Sequence, residues 1–330
     1  SAFAGAIPDS LDDGQTGPGF PIEVFNVLGA GDGFFSGLLK GWMEDADWPT
    51  ALKYANACGA FAVSRHGCTP AYPSWEEMQF FLKRGVKEPA LRKDAELEQL
   101  HWSTNRKGDW STMRVFAFDH RIQLEEMEGA TPEKIGAFKE LCLDAAGQVA
   151  DGQPGYGLLC DSRLGRDALY KAAGQGLWIG HPVEWPGSRP LELEPELGAD
   201  FGGLAQWPTE HVVKCLCFYH PDDSAEMKAA QEDVVKRLFA ASRRNGLEFL
   251  LEVIPSKVGT VTTETTPAII QRFYDIGVFP DWWKLEPLKT DTDWAAVVDA
   301  ITRNDANTRG IVVLGLDAPA EELSASFAQA

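Results

Sequence analysis

The chain has 330 residues, 44% hydrophobic and 24% charged, a globular balance with room for two domains. Its formal net charge of −19 argues against nucleic acid or an anionic membrane as a general partner, although clustered backbone N–H groups can still hold a phosphate. No signal-peptide pattern and no apolar run of membrane-spanning length is visible, and the six cysteines (58, 68, 142, 160, 215, 217) lack CxxC or zinc-ribbon spacing. They read as small buried thiols, and a cytoplasmic location is expected.

Taken in chain order, residues 1–20 are turn-rich and read as a loop or hairpin. A helical pattern follows from Ala30 to Trp42, with Phe34, Phe35, Leu38 and Leu39 on one side. A second helix spans about Trp48 to Ser64. A third occupies residues 74–85, with Ser74 as N-cap, Glu76 and Glu77 in its first turn and Gly85 as its end. Residues 86–112 are charged and polar, and 87–112 read as an inter-domain linker. Short apolar runs then recur at 113–119, 156–161, 176–181, 212–220, 247–253, 281–287 and 310–316. Amphipathic stretches at 132–150, 166–174, 224–245, 265–276, 291–303 and 319–328 separate most of them. This alternation implies parallel strands with helical crossovers. Seven strands fit a (β/α)8 TIM-type barrel without its last strand; a doubly wound sheet is the alternative. The barrel is favoured because the strands end in polar, reactive residues: Asp119-His120-Arg121, Asp161-Ser162-Arg163, His181, His220, Glu252 and Glu286. Both termini read as cuts in a longer chain, since the first residue is not Met and ELSASFAQA stops inside a helical pattern.

Two regions carry chemistry. The first is GAGD, 29–32, which opens a helix. Gly29 and Gly31 permit close approach of a ligand, and unpaired first-turn N–H groups with the helix dipole make an anion hole. Phosphoryl transfer needs such a hole and a base to orient the attacking hydroxyl, and Asp32 stands where both are met. A plain N-cap turn is the competing reading of these four residues. The second region lies in the later strands. A lysine inside an apolar strand is unusual because burying an ammonium is costly. Lys214 in VVKCLCFYH and Lys284 in DWWKLEP are two such cases, with Glu252 in the strand between them. Period-two alternation sets all three on one face if those faces point inward. A desolvated lysine beside another cation can attack a carbonyl, and a nearby carboxylate can move protons during C–C cleavage. Structural ion pairing is the competing reading. Lys257 reads as solvated or phosphate-facing. His120, His181 and His220 stand at three strand ends and suggest a metal-dependent alternative, but their spacing offers no HxH or HxxxH pair, and none is assigned as a metal ligand.

The longer strings carry resemblances. NVLGAGDGFFSGLL closely resembles the C-terminal signature of the ribokinase-like (PfkB) sugar kinases, and the likeness continues through YANACGAFAVSRHGCTPAYPSWEEM, 54–78. It covers about residues 1–85, so 1–86 are expected to be the C-terminal part of a ribokinase-like α/β fold. The resemblance implies Asp32 as base, the backbone of Gly29, Ala30 and Gly31 as anion hole, Asn56 at the adenine pocket, and ATP with Mg²⁺ as cofactors; His66 has a weaker claim. The sugar-binding half of such kinases is not in this sequence, so this segment is not expected to phosphorylate anything unaided. The barrel, 113–330, resembles the class I tagatose-bisphosphate-type aldolases through FAFDHR, VVKCLCFYHPDD, FLLEV and WWKLEP. That resemblance implies Lys284 as the Schiff-base lysine, Glu252 and Lys214 as proton-transfer and orienting partners, and Asp119, His120 and Arg121 as substrate contacts, with Gly315 part of a phosphate site and no cofactor. The order of the two parts resembles the bifunctional 5-dehydro-2-deoxygluconokinases of myo-inositol catabolism. A sugar acid and its phosphate are then the implied partners, and a homo-oligomer is compatible with the sequence. The competing function is a kinase whose barrel only binds a phospho-sugar or acts as a scaffold.

Overall fold

The computed structural model describes residues 19–108, 110–315 and 318–329. The expected loop or hairpin over residues 1–20 therefore lies outside the described residues except for its last two positions. The chain divides into two compact units, Ser1–Lys107 and Gly108–Ala330.

In the first unit, α1 (Ala30–Met43) packs along α2 (Trp48–Ser64). The buried positions of α1 are glycines, not the side that carries Phe34, Phe35, Leu38 and Leu39. Gly33, Gly37 and Gly41 are buried, whereas Phe35 and Leu39 are exposed. The reason is close approach of the two backbones: a Cβ on Gly37 would lie 2.4 Å from the Tyr54 carbonyl oxygen. The third helix, α3 (Trp75–Arg84), begins at Ser74, whose hydroxyl accepts from Glu77 N, and stops at Gly85 with φ 79°. The stretch expected to be a linker is largely structured. It holds α4 (Ala95–Asn105), started by Asp94 accepting from Leu97 N. Leu91 and Leu97 are fully buried with Phe61, Met78 and Phe81. Charged residues of this stretch take part in the packing: the nearly buried Arg84 pairs with the buried Asp94 and with the exposed Glu96.

The second unit contains β1 (Arg114–Ala117), α5 (Ile122–Glu125), α6 (Pro132–Ala150), β2 (Tyr156–Leu159), α7 (Ser162–Ala172) and β3 (Trp178–Pro182). It continues with β4 (His211–Cys217), α8 (Ala225–Arg244), β5 (Glu248–Val253), α9 (Thr265–Asp275), β6 (Trp282–Leu285), α10 (Asp291–Asn304), β7 (Gly310–Val313) and α11 (Ala320–Gln329). The strands form one sheet in the order β1 to β7, and every neighbouring pair is parallel. A doubly wound sheet needs a reversal of strand order, so this order excludes it. The β3–β4 connection carries short 3₁₀ turns at Pro195–Leu197 and Gly202–Gln206 in place of an α-helix.

The sheet is curled. Trp178 on β3 and Trp282 on β6 meet with ring centroids 5.7 Å apart, although β4 and β5 separate their strands. They share a concave core with Leu159, Val212 and Leu250. Alternate residues, Val213, Cys215, Phe249, Leu251 and Trp283, belong to the other core, on the convex side with helix residues such as Val235, Ile269 and Val297. Period two thus sends the tryptophans at 282 and 283 to opposite faces, and both serve as packing. It also fixes where Lys214, Glu252 and Lys284 point: each is two residues beyond a concave-core residue on its strand.

Candidate functional site

Gly29 is the N-cap of α1 and has φ 80°, a left-handed conformation that favours glycine. A side chain there is also excluded by contact, since its Cβ would lie 2.4 Å from Cys68 Sγ and 2.8 Å from the Tyr72 oxygen. Tyr72 donates its hydroxyl to the Gly29 carbonyl at 3.1 Å. Asn26 braces the approach: its Nδ2 donates to Gly67 O at 2.8 Å, and its Oδ1 accepts from Leu28 N at 3.0 Å. No side chain caps the helix start, which suits an external anion. Beside it opens a cleft of about 450 Å³, lined by Ala30, Gly31 and Phe34 of α1 and by Asn56, Gly59, Ala60 and Val63 of α2. A Cβ on Gly31 would meet nothing within 4 Å, so this side of the turn is open. The sequence candidates Ala30, Gly31 and Asn56 therefore come together on one cleft. Gly29 supports it from behind, and Asp32 lies exposed in the first turn of α1. His66 is exposed and packs edge-on against Phe25 at 4.4 Å.

On the concave face of the sheet, Lys214, Glu252 and Lys284 form one contiguous cluster. Lys214 Nζ lies 2.8 Å from Glu252 Oε2, and Lys284 Nζ lies 3.1 Å from Glu252 Oε1. Lys214 also pairs with Glu184 Oε1 at 3.0 Å and Asp119 Oδ2 at 3.6 Å. All are buried or nearly so. Burial opposes a charge on Lys214, but Glu184, Glu252 and Asp119 outweigh it and hold the ammonium above the usual lysine range. Burial likewise opposes the Asp119 carboxylate. Lys214, Lys284 and Arg121 overcome it and pull Asp119 down to about 2. The same contest, with Lys214 and Lys284 winning over burial, holds Glu252 below the ordinary carboxylate range.

Arg121, expected as a substrate contact, is held by two glutamates. Its guanidinium is 4% exposed and donates to Glu184 O and Glu184 Oε1, both at 2.7 Å, and to Glu194 Oε1 at 2.9 Å. These contacts tie Arg121 to the segment after β3. His120 is exposed, with its carbonyl held by Lys139 Nζ at 2.9 Å. Gly315 is exposed beyond β7, and Glu286 accepts from Ser256 N at 3.1 Å.

Of the histidines, His181 and His211 pack edge-on with ring centroids 5.6 Å apart. His181 and His211 are buried; His181 stacks on Trp207 with centroids 3.6 Å apart and an interplanar angle of 7°. His220 Nε2 is 3.0 Å from Thr260 O. Among the described residues no group of three His, Cys, Asp or Glu could hold a metal.

Sequence reasoning missed two participants. Glu184, just after β3, reaches Lys214 and Arg121 together; a carboxylate in GHPVEWPG, immediately past an apolar strand, was the available signal. Lys139 of α6 is fully buried and pairs with Asp161, which also caps α7 through Leu164 N. Nothing in the amphipathic pattern of α6 marked that lysine as internal.

Comparisons with known proteins cover both regions. The family profile described as "Uncharacterized protein conserved in bacteria (DUF2090)" matches residues 77–330. The chain belongs to this DUF2090 family. Ahead of the DUF2090 region, residues 5–75 match the profile of the pfkB family carbohydrate kinases. Curated relatives agree with that segment. The ATP-dependent ribose-1-phosphate kinase of Halopiger xanaduensis is 42% identical over 65 residues, 20% of this chain and 22% of that one. The 5-dehydro-2-deoxygluconokinase of Geobacillus kaustophilus is 32% identical over 74 residues, 22% of each chain. The chain thus spans about a fifth of the length of the curated relatives it matches. Among solved structures, fructose-bisphosphate aldolase from Plasmodium falciparum aligns with 71% of this chain and 79% of its own, at 11% identity and a TM-score of 0.46. The aldolase from Slackia heliotrinireducens aligns with 73% and 77%, at 14% identity and a TM-score of 0.42. The lysine–glutamate cluster lies within the DUF2090 region, and the cleft of α1 and α2 lies within the pfkB-matched segment.

Proposed function

We propose that this chain joins the C-terminal part of a ribokinase-like sugar kinase to a Schiff-base aldolase built on seven strands of a (β/α)8 barrel. The observation that carries the aldolase reading is the contact of Lys284 and Lys214 with the two oxygens of one buried carboxylate, Glu252. The Lys284 ammonium first gives up a proton; its free amine attacks a ketose carbonyl, a C–N bond forms, and the proton returns to the carbonyl oxygen, which leaves as water to give an iminium. Glu252 removes the proton of the hydroxyl two carbons away, the C–C bond breaks toward the iminium, and an aldehyde departs. Protonation of the resulting enamine and addition of water release the second product and restore the amine. Lys214 orients Glu252, and Asp119 faces the same space.

The substrate we assign is the 6-phosphate of 5-dehydro-2-deoxy-D-gluconate, split into dihydroxyacetone phosphate and malonate semialdehyde in myo-inositol catabolism. The kinase part supports production of that phosphate from ATP, with Asp32 as base. The cleft beside the open turn at Gly31 fits a nucleotide, with Ala30 and Gly31 at its phosphates and Asn56 at its base. No described cluster is assigned to Mg²⁺.

The test is to incubate the chain with dihydroxyacetone phosphate and borohydride and weigh it by mass spectrometry. The expected result is one adduct, mapped to Lys284 and absent in Lys284→Arg. A folded chain that stays unmodified overturns the aldolase and leaves a barrel that only binds phospho-sugars. For the kinase, Asp32→Asn in a protein that also carries a sugar-binding half is expected to abolish turnover and keep ATP binding; retained turnover refutes the base.

A further inference from the structure

The concave cluster holds a carboxylate to which the reaction above gives no part. Glu184 is 2% exposed and is fixed on three sides. Its Oε1 accepts from Arg121 at 2.7 Å and from Lys214 at 3.0 Å, and its Oε2 accepts from the Leu216 backbone N–H at 3.0 Å. Its own backbone is pinned too: the carbonyl accepts from Arg121, and Glu184 forms an antiparallel bridge with Leu193. The carboxylate therefore has no other direction in which to turn.

This fixing creates an asymmetry between the two lysines. Lys214 faces carboxylates from three elements: Glu184 after β3, Glu252 on β5 and Asp119 after β1. Among the described residues Lys284 pairs with a single carboxylate, Glu252. Glu252 is shared, and Arg121 is the nearby cation that Glu184 also binds. Glu184 and Asp119 are thus the carboxylates that contact Lys214 at ion-pair distance and not Lys284, and Glu184, at 3.0 Å against 3.6 Å, is the nearer.

We propose that Glu184 is a positioning residue: it keeps Lys214 an ammonium aimed at Glu252, and so leaves the nucleophile's part to Lys284. The assignment of a nucleophile rests on the aldolase reading; the effect on Lys214 does not.

Two measurements separate these. The first is a pH titration of the lysine ε-carbons by NMR in ¹³C-lysine-labelled protein, with the Lys214 signal identified by its loss in Lys214→Arg. In the wild-type chain Lys214 is expected to stay charged past the ordinary lysine range. Glu184→Gln keeps one oxygen to accept from Arg121, replaces the oxygen that accepts from Leu216 N with an amide NH2, and removes one charge; Lys214 is expected to titrate about one to three pH units lower. The second is borohydride trapping with dihydroxyacetone phosphate at alkaline pH. Wild type is expected to be labelled at Lys284 alone. In Glu184→Gln, labelling of Lys214 relative to Lys284 is expected to rise about tenfold or more, since one pH unit is tenfold in free amine. An unmoved Lys214 titration in Glu184→Gln overturns the proposal. So does an ordinary Lys214 titration in the wild type, which decides the matter even if the variant does not fold. A chain that is never trapped overturns the aldolase instead, while the NMR titration still decides the role of Glu184.

Discussion

Replacing Lys214 by methionine tests whether the concave cluster holds together as a unit. The ammonium sits 2.8 Å from Glu252, 3.0 Å from Glu184 and 3.6 Å from Asp119, and it is 3% exposed. Removing one partner of a buried ion pair costs about 3–5 kcal/mol because the other charge is left buried and uncompensated. Here three carboxylates lose a partner, so the loss at pH 7 is expected at the upper end, about 5 kcal/mol. Domains are stable by only about 5–15 kcal/mol, so this brings the barrel unit close to unfolding. The penalty depends on pH with a definite sign. Asp119 is depressed to about 2 in the wild type, so its stabilising effect is full above the ordinary carboxylate value of 3.8 and is lost as pH falls from there to about 2. Lys214→Met weakens that contribution, and the gap between the two proteins narrows in the same acid range. Adding Glu252→Gln to Lys214→Met removes one orphaned charge, so the double variant is expected to be more stable than additivity predicts by about 1–3 kcal/mol. Urea unfolding followed by tryptophan fluorescence and circular dichroism at pH 7 and about 3 measures wild type, the two single variants and the double variant. A single-variant loss below about 1 kcal/mol with additive double-variant behaviour would refute the cluster as a coupled unit.

Other consequences are equally direct. Gly37→Ala is expected to destabilise the first unit by about 1–3 kcal/mol despite alanine's better helix propensity, because its Cβ would lie 2.4 Å from Tyr54 O. Gly31→Ala, with nothing within 4 Å, is expected to leave thermal stability unchanged or slightly raised; equal melting shifts for the two variants would contradict the glycine-stripe packing. Burial holds His211 at about 4 against an ordinary value of 6.5. The unfolded chain therefore takes up this proton first, and stability is full above pH 6.5 and falls by about 3 kcal/mol as pH drops to about 4. His211→Leu is expected to flatten that part of the profile, read as urea midpoints at pH 7, 6 and 5; an unchanged slope rejects the assignment.

The sequence alone determined the elements whose cause is local. Ser74 and Gly85 bound α3 because capping needs only a hydroxyl at one end and a positive φ at the other. The alternation of apolar runs and helices was enough for parallel strands, and period two was enough to put Lys214, Glu252 and Lys284 on one face of their strands. The GAGD turn was legible because its glycines answer to backbone constraints that side chains would violate. Tertiary structure decided the rest. Whether that lysine face lay inside or outside depended on the curl that brings Trp178 to Trp282 across two intervening strands. The partners of Arg121 could not be read locally, because Glu184 and Glu194 arrive from a segment more than sixty residues away. Residues 91 and 97 read as linker and became core, because burial is a property of what packs against a residue. Local rules act over a few residues, while the charge balance at Lys214 is set by three carboxylates that only the folded sheet brings within 3.6 Å.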